Sequence, residues 1–177
     1  MPRPMIGVMG SGNDAFAELA EPLGRWIAEQ GFDLLTGGGG GIMTTVCRGF
    51  ASVPNRRGVS IGVLPSRPPT GYPNEWIDIV IQTHLSARGP EGAGAHSRNH
   101  INVLSSTAIV ILPGKAGTRT EMELALYYRK PVIAYLGETG VIEGMKRNEF
   151  PRVAKTQAEV EAFILKEVAA AKKPNDQ

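Results

Sequence analysis

The chain has 177 residues, 42% of them hydrophobic and 20% charged, enough for one domain to bury a core without disulfides. Nineteen basic and 17 acidic residues leave a formal charge of +2 with no long basic run, which excludes nucleic acid as the default partner. The 22 glycines cluster rather than spread, which marks special backbone positions rather than disorder.

Short apolar runs alternate with amphipathic segments, the sign of βαβ units on a parallel sheet. Met5–Met9 reads as a central strand, apolar on both faces. The turn Gly10-Ser11-Gly12-Asn13-Asp14 ends that run too early for a signal-peptide core. Asn13 or Asp14 is placed to cap a helix running to about Gln30, with Pro22 as a kink or break and Gly31 as its stop. Phe32–Thr36 is a second strand, followed by five consecutive glycines and a helix from about Ile42 to Ser52. Cys47 falls on the buried face of that helix; as the single cysteine it rules out an internal disulfide and suggests a reducing compartment.

Gly58–Leu64 is a third strand, and the proline-laden residues 65–76 form an irregular loop in which Arg67, Tyr72 and Trp76 are candidates for a lid. Ile77–Gln82 reads as a short strand, Ala87–Ala95 as a mobile glycine-rich connection and Ser97–Ser105 as a helix. The strand Thr107–Leu112 leads through Pro113–Thr118 into a helix ending at Tyr128. Pro131–Leu136 is a further strand and Gln157–Ala171 a terminal helix, with Lys172–Gln177 as a frayed polar tail. The fold class is α/β: a Rossmann-like doubly wound parallel sheet in a single domain, 1–171. No stretch approaches the ~20 apolar residues of a membrane span, so the expected location is cytoplasmic.

Three constellations carry chemistry. In the first, the run Gly37–Gly41 leaves a strand and enters a helix, so backbone amides of Gly38, Gly39, Gly40 and Gly41 can approach an anion, with Thr44 nearby. It is neither a Walker A loop nor a dinucleotide fingerprint. In the second, Pro113-Gly114-Lys115-Ala116-Gly117-Thr118 brings Pro113, Gly114, Lys115, Gly117 and Thr118 to a helix N-terminus, where phosphate is favoured. Glu121 then falls in the first helical turn, as a cap or as a carboxylate beside the ligand. In the third, His96-Ser97-Arg98-Asn99-His100 projects Arg98 over the carboxyl edge of the sheet, where open α/β folds bind ligands. His96 and His100 lack a third ligand at a recognisable spacing, so no metal site is predicted. Gly10 and Ser11 of the first turn complete the candidate ligand contacts.

In this order the glycine run with Ile42-Met43, then Arg98-Asn99 before a strand, then Pro113-Gly114-x-x-Gly117-Thr118-x-x-Glu121 resembles the Lonely Guy (LOG) superfamily, from about Met5 to Leu136. Its members carry a lysine-decarboxylase label that their chemistry does not support. The resemblance implies a Rossmann-like homodimer or larger assembly, such as a homotetramer. It implies either hydrolysis of the N-glycosidic bond of a nucleoside 5′-monophosphate, with Arg98 and Glu121 as the catalytic pair and no cofactor, or carriage of the molybdenum cofactor, a phosphorylated pterin, without turnover. The Asn74–Ile81 stretch and Ser97-Arg98-Asn99 are closer to the carrier branch. Lys115 stands where the enzymes have a second glycine, and Asn99 where they usually have lysine. A nucleotide sensor without catalysis is the third reading.

Overall fold

In the strands, alternate residues face opposite helix layers. Ile6 and Val8, Leu34, Val110, and Ile133 and Tyr135 point into one core, and Met9, Ile109 and Ile111, Val132 and Ala134 into another. Each fully buried aliphatic side chain among them contributes roughly 1.5–3 kcal/mol. The computed structural model describes residues 2–172. Among them, β1 (Met5–Met9), β2 (Asp33–Thr36), β3 (Ser60–Leu64), β4 (Ile79–Gln82), β5 (Ala108–Ile111), β6 (Val132–Tyr135) and β7 (Val153–Ala154) form one sheet in the order β4-β3-β2-β1-β5-β6-β7. Every neighbouring pair is parallel.

Helices α1 (Ala17–Glu29), α2 (Ile42–Ala51) and α5 (Gln157–Ala171) cover one face, and α3 (Asn99–Ser105) and α4 (Ala116–Tyr127) the other. This is the doubly wound single domain expected. α1 and α2 pack at backbone distance: a Cβ on Gly24 would overlap the Val46 carbonyl oxygen. The order of the strands reverses between β1 and β5, which are direct parallel neighbours although three strands separate them in sequence. That switch point opens a crevice at the carboxyl ends of the strands, where such sheets bind ligands.

Several expectations need correction. α1 begins at Ala17, not at an Asn13 or Asp14 cap, and Phe16 takes the N-cap position with φ of 40°. Asp14 is occupied elsewhere: its carboxylate accepts from Ser11 Oγ at 2.8 Å, and Ser11 Oγ accepts from the amides of Asn13 and Asp14. Pro22 lies inside α1 without breaking it, and Gly31, with φ of 72°, follows its end. β4 is an edge strand whose Ile79, Val80 and Ile81 are 41–46% exposed. β7 and the 3₁₀ turns at Gly89–Glu91 and Arg147–Glu149 had no counterpart in the sequence reading. α5 has the bounds predicted for it. From residue 173 on, the predicted tail lies outside the described residues.

Candidate functional site

The crevice holds a cavity of about 200 Å³. Its floor is the end of β1, Val8 and Met9, and the turn Gly10–Asn13; its far wall is the start of α4, with Lys115, Gly117 and Thr118. The two turns are tied by the Ser11 amide donating to Pro113 O at 2.9 Å. Gly114 faces away, donating its amide to Val141 O and accepting from the Glu143 amide. Pro113 and Gly114 therefore hold the turn in place without lining the cavity, and Gly10, Ser11, Lys115, Gly117 and Thr118 line it.

No side chain caps α4: its N-cap residue, Lys115, makes no capping hydrogen bond. The first-turn amides, which have no partner within a helix, are thus left at the cavity wall beside the Lys115 ammonium. Asn99 and Thr120 brace this end. Asn99 Nδ2 donates to Thr120 Oγ1 at 3.2 Å, and Thr120 Oγ1 donates to Gly117 O at 2.7 Å.

The glycine run is packed closely against its neighbours. Among its residues only Gly37 lines the cavity. A Cβ on Gly37 would overlap the Arg98 guanidinium, and one on Gly39 the Tyr72 ring. At Gly40 and Gly41 it would lie 2.9 and 2.5 Å from the carbonyl oxygens of Gly12 and Ser11. Gly38 and Gly41 also have positive φ, 74° and 56°. Gly38 N donates to Thr36 Oγ1, and Gly39 O accepts from both Thr44 Oγ1 and Asn74 Nδ2. Gly38–Gly41 and Thr44 thus let three loops approach one another behind the cavity. Asn74 also donates its amide to Gly38 O at 2.8 Å, so the proline-rich loop is pinned onto the run. Tyr72 forms part of the cavity wall, whereas Trp76 packs on the core and Arg67 lies in a neighbouring recess.

Arg98 and Glu121 both reach the cavity and both are buried, 8% and 7% exposed. Arg98 Nη1 donates to Val63 O at 2.7 Å, and its buried Nε has no partner. Burial lowers the Arg98 pKa, opposed by the Glu121 charge. Glu121 is the sixth residue of α4, beyond the first turn, so it does not cap the helix. Burial raises its carboxyl pKa, opposed by the Arg98 charge and by a 3.3 Å hydrogen bond from Asn102 Nδ2. The two form no salt bridge. His100 is held by Tyr128 OH and Gly94 O, and no three His, Cys, Asp or Glu side chains converge among the described residues.

Sequence reasoning missed Gly12, Asn13, Met43, Arg88 and Gly89 as lining residues. Arg88 and Gly89 lie in a loop without periodicity, and only the long-range packing of that loop brings them to the site.

The chain belongs to the SLOG cluster4 family, whose model matches residues 3–169. An Archaeoglobus fulgidus protein is 35% identical over 151 residues, 84% of this chain and 90% of that one. The molybdenum cofactor binding protein of Rippkaea orientalis superposes with a TM-score of 0.73 at 30% identity, covering 95% of this chain and 99% of its own. The molybdenum cofactor carrier protein of Chlamydomonas reinhardtii does so with a TM-score of 0.70 at 31% identity, over 96% and 99%. Among the described residues no helix is long and apolar enough to cross a membrane.

Proposed function

We propose that this SLOG-family chain binds a phosphorylated pterin of the molybdenum-cofactor type and carries it without hydrolysis. The phosphate sits on the uncapped start of α4, against the Gly117 and Thr118 amides and the Lys115 ammonium. Arg98, which lines the same cavity, brings a desolvated guanidinium charge to it. Tyr72, on its glycine bed, gives the flat ring an aromatic neighbour. The donors are amides, guanidinium and ammonium, a set suited to phosphate. Likeness to two solved proteins that bind or carry the molybdenum cofactor supports the same ligand class.

The observation that favours binding over turnover is the burial of Glu121 without a salt bridge. Stabilising an oxocarbenium-like ribose needs an ionised carboxylate. Here burial raises the Glu121 carboxyl pKa, opposed by the Arg98 charge and the Asn102 hydrogen bond, and Arg98 makes no salt bridge to it. Hydrolysis of a nucleoside 5′-monophosphate is the alternative, favoured by the fact that both side chains reach one cavity. A homodimeric, cytoplasmic protein completes the proposal, with the dimer checked by light scattering.

The test is incubation of the purified protein with a panel of nucleoside 5′-monophosphates and with pterin monophosphate, read by free base and by thermal stabilisation. Stabilisation by the pterin without base release is the expected result. Base release that disappears in Glu121→Gln would transfer the assignment to hydrolysis.

A further inference from the structure

The sequence offers the Gly37–Gly41 run for an anion; of its residues only Gly37 lines the cavity, and the Gly38 amide is held by Thr36 Oγ1. A different recess on the same edge of the sheet has the composition of an anion site. It encloses about 450 Å³ between the chain leaving β3 and the chain leaving β4, and is lined by Ser66, Arg67, His84, Ser86 and Arg88. Its lining residues carry two hydroxyls, two guanidiniums and an imidazole, and none carries a carboxylate.

The recess is built on hydrogen-bonded backbone. The Ser66 amide donates to Leu85 O at 2.8 Å, Gln82 Nε2 to Pro65 O at 2.7 Å and the Thr83 amide to Leu64 O at 3.1 Å. Neither Arg67 nor Arg88 takes part in a salt bridge among the described residues, whereas Arg3, Arg48, Arg56, Arg119 and Arg152 do. Arg88 lines both this recess and the cavity at α4. Burial is the main cause of the lowered Arg98 pKa, and the Arg88 charge adds to it, so an anion between the two cations relieves a repulsion. The cavity at α4, about 200 Å³, is smaller than the ~300–1,000 Å³ usual for small-molecule sites. A phosphorylated ring ligand seated there extends beyond it, and Arg88 marks where the continuation leads.

We propose that the Arg67–His84–Arg88 recess is a second anion subsite, holding the other negatively charged group of the ligand whose phosphate lies at the start of α4. The placement of that second group rests on the proposed phosphorylated ligand; the affinity of the recess for a tetrahedral oxyanion does not. Arg67 and His84 are exposed and belong to this recess alone, so replacing them leaves the core intact.

The experiment uses the full chain, with molybdate and pterin monophosphate as separate probes in calorimetric titrations. For wild type the expected result is molybdate binding that persists when pterin monophosphate is already bound. In the Arg67→Gln/His84→Gln double variant, molybdate affinity falls at least about tenfold while pterin monophosphate affinity stays unchanged; Lys115→Gln shows the converse. Molybdate binding that is unchanged in the double variant, or that is lost when pterin monophosphate fills the first seat, overturns the subsite. Failure of pterin monophosphate to bind, with molybdate still dependent on Arg67 and His84, removes the proposed ligand and leaves the recess as an anion site.

Discussion

Gly117→Ala separates folding from binding at the proposed phosphate seat. Gly117 is the second residue of α4 and lines the cavity. A Cβ added there meets nothing nearer than the Gly89 Cα, at 3.8 Å, which is ordinary contact, and Gly117 does not have a positive φ. Folding is therefore not opposed. Alanine gains up to about 1 kcal/mol from helix propensity and a stiffer unfolded chain. For a chain of this size that raises Tm by roughly 2–4 °C. The same methyl fills the gap between Gly117 and Gly89 and holds a phosphate off the amide. A charge-assisted hydrogen bond is worth about 1.5–3 kcal/mol, so affinity for pterin monophosphate should fall at least about tenfold. Differential scanning fluorimetry and titration on the same preparation read both quantities. Unchanged affinity would refute the phosphate placement, and a lower Tm would refute the reading of open space at Gly117.

Gly37→Ala does the opposite at the other wall: its methyl displaces the Arg98 guanidinium and breaks the bond to Val63 O, costing roughly 1.5–3 kcal/mol. A Tm drop of about 3–10 °C with weakened phosphate-ligand binding is expected by calorimetry, and wild-type values would count against Arg98 as a buried donor. Glu121→Gln tests the carboxyl directly. Because its folded pKa is raised by burial, the stability it contributes is complete below the unfolded value near 4.5 and is lost as pH rises through the folded value. The Tm of Glu121→Gln relative to wild type should therefore rise as pH increases above about 4.5 and level off above the folded value; a constant difference would show that the carboxyl is not perturbed. Cys47 is wholly buried and its thiol is pushed up to about 12 by burial, so a disulfide reagent at pH 8 should modify it only after denaturant is added. Rapid labelling of the native protein would contradict its place in the core.

Much of the fold is legible because it is local. The apolar runs of β1, β2 and β5, buried on both faces, need no partner to be recognised, and α5 carries its own Thr156 cap, which accepts from the Glu159 amide. Errors arose where a side chain serves a distant loop or turn. Asp14 reads as a helix cap but is bound by Ser11, so α1 starts later. Glu121 reads as a first-turn carboxylate because Gly117 looks like loop, yet the helix already includes it. The five glycines read as an anion loop, and what the spacing could not show is that four of them also make room for the Gly10–Asn13 turn, Leu64 and Tyr72. Tyr72, Arg88 and Gly89 reach the cavity only through tertiary packing, which no spacing encodes.

The most direct test of carriage is the content of the protein itself. The full chain, expressed in a molybdenum-replete host and isolated without oxidants, is assayed for molybdenum by mass spectrometry and for pterin by fluorescence after oxidation. Molybdenum and pterin in equal amounts, both reduced in Gly117→Ala and Lys115→Gln, are the expected result. A wild-type protein free of both, which releases base from a nucleoside 5′-monophosphate, would contradict carriage.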